Sequence, residues 1–467
     1  MAWPRLRRPP ARGVEPVPAG ERVLGFFDLF VLWSSLGVGL LVLVAGAIVV
    51  WAFGLSLLEA IAVAVAGSLI GSLLLAAAAL PGSRNGVPTM VSLRPVLGRR
   101  GSWAPSALNA FQLLGWAAFE LLVMGLAAAV VLGYPFGPWT PALFVPLFGA
   151  VVLLLALGGP LAVVRQWLEK FAIWLVYGTT AVVAVFLALR LGELGVELGT
   201  RPYPAGYTGW PSILLALDLV IVMPLSWWPL VADYNRFGRS ERTSFAATAA
   251  GYAAANTAFY VLGAGLGAAA AFMIDPAGPP DVLAALALLG LGAFPLLIIL
   301  VDETDNAFAN VYSTGVSVQN MAPRLRQATL VAIATAAAGA GAVALVATGE
   351  GIGGGYETFL ILIGGLFAPL LGVVVADALV VRRLAYGPRE FDEGAPPVRW
   401  LALLSWALGV GLYYATFWGL LPGAGVLGST LPAFSLAAAA HVAFSRLGRP
   451  RIPATAREGE APAPGRP

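Results

Sequence analysis

The sequence has no cysteine, a single histidine and few charged residues. Only 11% of its 467 residues are Asp, Glu, Lys or Arg, less than half the roughly 25% of a typical soluble domain. The missing cysteines exclude disulfides, thiolate metal sites and cysteine nucleophiles, and the lone His441 cannot build a multi-histidine metal site. Hydrophobic residues make up 59% of the chain, and the mean hydropathy is +0.85. This composition predicts a polytopic membrane protein.

Apolar runs of the length that crosses a bilayer, about 20 residues, follow one another along the chain. The run 285–320 is longer than one span, so its first part, after Pro279-Pro280-Asp281, is expected to form a short helix along the outer surface. The pattern predicts an all-α protein with twelve transmembrane helices near 26–51, 55–80, 103–133, 139–164, 166–190, 211–234, 243–273, 285–320, 327–348, 356–382, 398–419 and 428–446.

The basic residues test this topology because Lys and Arg collect in cytoplasmic loops. With the N-terminus inside, 25 of the 27 fall in alternate, cytoplasmic segments, and only Arg190 and Arg201 lie outside. We therefore expect a multi-pass protein of a prokaryotic cytoplasmic membrane with both termini in the cytoplasm. The stretches 1–25 and 447–467 are expected to be flexible cytoplasmic tails. The excess of basic residues therefore indicates the orientation of the protein in the lipid bilayer. It does not indicate binding of nucleic acid.

Carboxylates inside a membrane are costly and usually face a functional interior. Span 8 holds the densest group, because Asp302, Glu303 and Asp305 fall within four consecutive positions. At about 100° per residue, one helix stripe carries Asp302, Asn306, Asn310 and Ser313, and adjacent faces carry Thr304 and Asp305. So many oxygen ligands without a nearby arginine suit a hard cation or a proton. The alternative is a hydrated outer helix end.

Span 3 carries Gln112, Trp116 and Glu120 at positions i, i+4 and i+8, which places them on one helix face. An indole beside an amide and a carboxylate could stack on a flat heterocycle and hydrogen-bond its edge. The alternative is that Trp116 packs between helices while Gln112 bonds a neighbouring side chain.

Two spans carry signs of a broken helix. Span 1 contains Gly37 and Gly39, which permit close approach and unwinding, and span 6 contains Pro229, which lacks a backbone donor. Broken helices at corresponding positions of two repeats indicate the substrate site of a transporter, and spans 1 and 6 are five apart. Two ordinary kinks are the alternative.

Several stretches resemble one transporter family: FFDLFVLWSSLGVG at 26–39, GVPTMVSLRPVLGRRGS at 86–102, LNAFQLLGWAAFE at 108–120, PLSWWPLVADYNRF at 224–237 and DNAFANVYSTGVSVQN at 305–320. They are similar to the nucleobase:cation symporter-1 family, the purine/cytosine permeases, and within it to hydroxymethylpyrimidine transporters. The resemblance implies a LeuT-type fold. Its inverted five-helix repeats would be 26–190 and 211–383, followed by two further helices in 398–446.

The resemblance also implies the residues of a substrate site between spans 1, 3, 6 and 8. Gln112 and Asn310 match the substrate-binding amides of the family, and Asn306 lies one turn before Asn310. The family's stacking tryptophan on span 3 falls on Leu108 here, so Trp116 is expected to replace it. On span 6 the stacking ring is either Trp227 or Trp228.

For the cation, the resemblance implies backbone carbonyls and a hydroxyl pair. The carbonyls are those of Leu36, Gly39 and Val301, and the hydroxyl pair falls on Thr304-Asp305. A carboxylate in place of a hydroxyl could bind Na⁺ more strongly or carry a proton itself, so coupling to Na⁺ and coupling to H⁺ both stay open. The residues considered for proton transfer or gating are Glu120, Asp302 and Asp233.

The sequence therefore predicts a secondary transporter that imports a pyrimidine-type heterocycle, such as hydroxymethylpyrimidine or cytosine, by Na⁺ or H⁺ symport with alternating access. No catalytic residue, cofactor or transition metal is expected, and the protein is expected to be a monomer. An amino-acid or amine symporter of the same fold and a non-transporting or channel protein are the alternatives.

Overall fold

The computed structural model describes residues 13–204, 213–292, 294–349, 353–392, 394–421, 426 and 428–447. The regular secondary structure of this part of the chain is helical, apart from one isolated β-bridge between Leu24 and Gly238. Residues 1–12 and 448–467 of the two predicted tails lie outside the described residues. In chain order the helices are α1 (Phe26–Ser35), α2 (Leu40–Ala52), α3 (Leu57–Asn85), α4 (Thr89–Ser92), α5 (Arg94–Leu97), α6 (Trp103–Leu132), α7 (Thr140–Gly158), α8 (Pro160–Ala162), α9 (Ile173–Glu193), α10 (Ile213–Ser226), α11 (Val231–Asn235), α12 (Glu241–Met273), α13 (Val282–Ala287), α14 (Phe294–Met321), α15 (Gln327–Thr348), α16 (Gly353–Ala376), α17 (Trp400–Phe417) and α18 (Thr430–Leu447).

Among the described residues, nine helical segments are long and apolar enough to cross a membrane, and the bent pair α1 and α2 makes a tenth. The predicted spans 8 and 12 coincide with α14 and α18, of 28 and 18 residues, which are not among these ten. The acidic residues 302, 303 and 305 make α14 less apolar. The short helix expected after Asp281 is present as α13.

The first predicted break is pronounced. Between α1 and α2 the chain bends by 61°, and Gly39 at the turn has φ of +145°, a conformation that favours glycine. A side chain there would also press on Glu303 and Asn306 of α14. The glycine thus allows the break and the close approach of α14 together.

The second break is smaller. Helix α10 ends at Ser226, and a 3₁₀ turn, Trp228–Leu230, leads into α11. Pro229 lies in that turn, where its missing N–H costs least. The carbonyl of Pro229 instead accepts a hydrogen bond from Asn109 of α6.

Helices α6 and α14 pack extensively against each other near the centre of the bundle, and α12 packs against α2 and α3. Helices α16, α17 and α18 form a separate group of mutual neighbours. Asp218 of α10 joins the two groups, since its carboxylate accepts hydrogen bonds from Ser429 N and Thr430 N at the start of α18.

Residues 13–25, within the predicted N-terminal tail, pack against the bundle. Gly13 N donates to Gln319 Oε1 of α14 at 2.6 Å, and Gly13 O accepts from Arg236. Val17 N donates to Gly86 O at 2.8 Å, and Leu24 is fully buried. This segment therefore connects the end of α3 with the ends of α11 and α14.

Candidate functional site

The site begins where α6 meets α14. Asn310 Nδ2 donates to Glu120 Oε1 at 2.8 Å and to the backbone carbonyl of Asn306 at 3.1 Å. All three side chains are at most 3% exposed. Buried polar groups need such partners, and this pair joins the two helices in the bundle interior.

A second bridge lies two to three turns away along α6. Asn109 Nδ2 donates to Ser317 Oγ of α14 at 2.8 Å and to Pro229 O at 3.1 Å. Gln112 Nε2 donates to Asn109 Oδ1 at 2.7 Å, while Gln112 Oε1 is buried without a partner among the described residues. The predicted binding residue Gln112 is thereby tied to the broken span 6. Asn109, one turn before Gln112 on the same face, is a site residue that the sequence analysis missed.

The break of span 1 is held by α14. Glu303 Oε1 accepts from Leu40 N at 2.7 Å, at the first residue of α2, and Asn306 Nδ2 donates to Val38 O at 3.2 Å. A carboxylate at a helix N-terminus satisfies a free donor and complements the helix dipole. Glu303 was counted among the acidic residues of span 8 but was not predicted as a site residue. Its spacing to Asn306, one turn, was the available signal.

The residues predicted to bind a cation lie around the same break. Leu36 follows α1, and Gly39 precedes α2. Thr304 Oγ1 donates to Val301 O at 2.6 Å, so that carbonyl already accepts one hydrogen bond. Asp305 lies beside Ser35 of α1, and neither of its carboxylate oxygens has a hydrogen bond of normal geometry within the described part of the chain.

Asp302 faces another side of α14. It lines a small cleft, about 40 Å³ in volume, together with Gly39 of the break, Thr179 of α9 and Phe259 of α12. Its Oδ1 has no partner among the described residues. Across those residues no group of three or more His, Asp or Glu side chains is arranged to hold a metal ion. A cation here would need carbonyl and hydroxyl ligands as well.

The three tryptophans differ in their surroundings. Trp116 is buried and packs edge to face on Phe359, with ring centroids 5.4 Å apart. Trp228 is fully buried, its Nε1 donates to Phe367 O at 3.0 Å, and its ring packs against that of Phe367. Trp227 is half-buried. Of the span 6 pair, Trp228 is the ring that bonds α16 in the described contacts.

Asp233 is not brought to this site. Its Oδ1 accepts from Thr89 N of α4 at 2.9 Å, and Thr89 Oγ1 accepts from Ala232 N at 2.8 Å. Asp233 thus fastens α11 to the segment after α3, whereas Gln112, Glu120, Asn306 and Asn310 belong to the network between α6 and α14.

Together these residues form a buried polar network between two interrupted spans, suited to bind a small polar molecule beside aromatic rings.

The family described as permease for cytosine/purines, uracil, thiamine and allantoin matches residues 16–410. The cytosine permease of Escherichia coli K12 is 25% identical over 364 residues, 75% of this chain and 76% of that protein. YxlA of Bacillus subtilis, a purine-cytosine permease by name, is 28% identical over 226 residues, 48% of this chain and 46% of its own length.

The fold is also that of a solved transporter. Mhp1, a nucleobase-cation-symport-1 family transporter in a closed conformation with bromovinylhydantoin bound, superposes with a TM-score of 0.74 at 18% identity, over 95% of this chain and 96% of that chain. These relatives are transporters and not enzymes. The chain is a multi-pass membrane protein that belongs to the purine/cytosine permease family, nucleobase:cation symporter-1.

Proposed function

We propose that this protein is a secondary transporter that imports a pyrimidine-type nucleobase or related heterocycle, such as hydroxymethylpyrimidine or cytosine, together with Na⁺ or H⁺. The observation that carries the proposal is the pair of bridges between α6 and α14 beside a span broken at Gly39. In a transporter of this kind the substrate lies where interrupted helices meet. We include in the proposal twelve spans arranged as two inverted five-helix repeats plus two, with both termini in the cytoplasm of a prokaryotic cell, and a monomeric state.

In this proposal Gln112 and Asn310 form hydrogen bonds with the polar edges of the ring, and Asn306 lies beside them. Trp116 and Trp227 contact its faces. The coupling ion binds near Leu36, Gly39, Val301, Thr304 and Asp305. Support for the ion site comes from oxygens without partners at Asp305 and Asp302, since buried polar groups otherwise find partners.

A thermal-shift screen of the purified protein tests substrate and ion together, because a ligand that binds the native state stabilises it. The probes are cytosine, hydroxymethylpyrimidine, uracil, purines, hydantoins and amino acids, each with and without Na⁺. We expect a pyrimidine to raise the melting temperature. Stabilisation by zwitterionic amino acids alone would favour an amine or amino-acid symporter, and uptake without saturation would favour a channel.

The variant Asn310→Ala tests the binding residues. Loss of its amide should weaken binding of the stabilising pyrimidine by about 1–3 kcal/mol. Asn85→Ala, at the end of α3 where Asn85 bonds only Pro81 O in the described contacts, is the matched control. Unchanged uptake of every tested pyrimidine by Asn310→Ala would contradict the binding model.

A further inference from the structure

A second cleft, outside the network between α6 and α14, opens at one end of the bundle. It has a volume of about 470 Å³ and lies where α16 and α18 end and α17 begins. The segments Thr358–Val381 and Trp400–Phe417 are each long and apolar enough to cross a membrane, so the cleft lies at the boundary between bilayer and water. Trp400 lines the cleft and is 74% exposed, and tryptophan is enriched at such boundaries.

Part of the cleft lining is apolar and continues onto the lipid-facing surface of α17. Leu401 lines the cleft, and it is followed on one helix face by Leu404 and Leu408, all three of them exposed. Exposed leucines on a membrane-spanning helix contact acyl chains. The other apolar lining residues are Val96, Val381, Ala402 and Phe444.

Two polar side chains of the lining have no partner in the described part of the chain. Arg399 precedes α17, and Ser445 lies in the last turn of α18. Both line the cleft, and no described residue forms a hydrogen bond or an ion pair with either side chain. The cleft therefore presents a guanidinium group and a hydroxyl group to a ligand.

The other ionisable residues at the cleft are paired with one another. Asp377 lies 3.1 Å from His441 and 3.0 Å from Arg382, so both of its oxygens are occupied. Arg382 also donates to Glu390 at 2.6 Å, and Glu390 is not part of the lining. Counted with Arg382, the two carboxylates leave one negative charge, which does not reach the charge of the arginines around the cleft.

Two further arginines border the cleft next to Arg399. Arg99 N donates to Pro396 O at 2.9 Å and Arg100 N donates to Pro397 O at 2.8 Å, which fixes both residues beside the segment that leads into α17. Both arginines are exposed, and their side chains have no partner among the described residues. Basic pockets between membrane helices bind anionic headgroups. The charge around this cleft thus favours an anionic ligand.

We propose that this cleft binds the phosphate of an anionic phospholipid. Arg399 and the hydroxyl of Ser445 hold the phosphate oxygens, and an acyl chain lies along the exposed leucines of α17. A guanidinium group offers two parallel N–H donors to a phosphate, and the hydroxyl adds a third donor. Free phosphate shares this chemistry but has no chain for the apolar lining. The site is separate from the substrate site and does not rest on the proposed function.

Binding of defined lipids to the purified full-length protein in a neutral detergent tests the proposal. The probes are phosphatidylglycerol, phosphatidylcholine with the same acyl chains, and inorganic phosphate. Native mass spectrometry measures affinity, and the melting temperature reports stabilisation, because a ligand that binds the native state stabilises it. We expect phosphatidylglycerol to bind about fivefold or more tightly than phosphatidylcholine. Equal binding of the two lipids would overturn the proposal. It would also be overturned if inorganic phosphate stabilised the protein as much as phosphatidylglycerol does.

The variant Arg399→Gln assigns the lipid to this cleft. Loss of one positive charge beside the phosphate should weaken binding of phosphatidylglycerol about fivefold and leave phosphatidylcholine unaffected. The melting temperature without lipid should stay unchanged, since the Arg399 side chain has no described contact to lose.

Arg242→Gln is the matched control, because Arg242 is an exposed residue in the first turn of α12, outside the cleft lining, and its loss removes the same charge. It should bind phosphatidylglycerol as the unmodified protein does. Unchanged affinity in Arg399→Gln would overturn the assignment of the lipid to the cleft. An equal loss of affinity in both variants would overturn it as well, because binding would then depend on net charge alone.

Discussion

Two groups of buried carboxylates in this protein differ in how completely their oxygens are paired. At the end of α16, Asp377 Oδ1 lies 3.1 Å from His441 Nε2, and Oδ2 lies 3.0 Å from Arg382 Nε and accepts from Tyr386 OH. On α14, both oxygens of Asp305 and one of Asp302 lack partners among the described residues. The carboxylate of the first group holds helices together, whereas the carboxylates of the second group have oxygens that can still bind a ligand.

The paired group extends into the segment before α17. Arg382 also donates to Glu390 Oε1 at 2.6 Å and to Pro95 O at 3.0 Å. Burial alone would raise the pKa of Glu390, but hydrogen bonds from Arg382 and from Gly387 N hold it below its usual value. Each charge in this group meets an opposite charge or a hydrogen-bond donor, which is the arrangement expected of structural ion pairs.

The largest effect on transport is expected from Asp305→Asn. If Asp305 couples transport to a monovalent cation, its loss removes about 2.3 kcal/mol of driving force per 100 mV, so accumulation should fall about 40-fold at that potential. The melting temperature should change little, because neither carboxylate oxygen has a hydrogen bond of normal geometry within the described part of the chain. Uptake into vesicles with imposed Na⁺, pH and voltage gradients measures the effect.

Asp275→Asn is the matched control, since Asp275 is exposed in the segment between α12 and α13. It should leave ion-dependent accumulation unchanged. If the ion dependence of transport is unchanged in Asp305→Asn, Asp305 takes no part in coupling. The carboxylates of α14 would then resemble the structural group around Asp377.

The largest effect on stability is expected from Asp377→Ala. Removing one partner of a buried ion pair costs about 3–5 kcal/mol of stability, because Arg382 and His441 would lose their common acceptor. Uptake per folded molecule should stay normal, since Asp377 contacts none of the residues between α6 and α14 in the described contacts. Chemical denaturation and uptake, each normalised to folded protein, separate the two outcomes.

Asp275→Ala serves as the exposed counterpart in the same measurements, and it should unfold as the unmodified protein does. A stable Asp377→Ala protein with lost transport would mean that the paired group also takes part in transport.

Features that depend on the residues of a single helix could be predicted from the sequence, and the structure contains them. The bend at Gly39 follows from local backbone freedom, and the shared face of Gln112 and Glu120 follows from helix periodicity. The likeness to Mhp1 agrees with the expected fold class. The count of twelve spans and the site roles stay predictions.

Contacts between distant segments could not be predicted in the same way. Asn109 meets Pro229 across 120 positions, and Glu303 meets Leu40 across 263. Such pairings depend on how helices are placed relative to one another, and helix periodicity carries no information about that placement. For the same reason the pairing of His441 with Asp377 could not be identified from the sequence.

The smallest effects separate the two tryptophans of span 6. Trp228→Phe loses the hydrogen bond to Phe367 O and should cost about 1 kcal/mol of stability, with unchanged affinity for the substrate. Trp227→Ala should instead weaken substrate binding by about 0.5–1.5 kcal/mol, the usual contribution of an aromatic contact beyond its buried area. Melting temperature and binding constant, measured on both variants, give a crossed pattern if one ring is structural and the other contacts substrate. The reverse pattern would assign substrate stacking to Trp228 and would require its indole to leave Phe367 during transport.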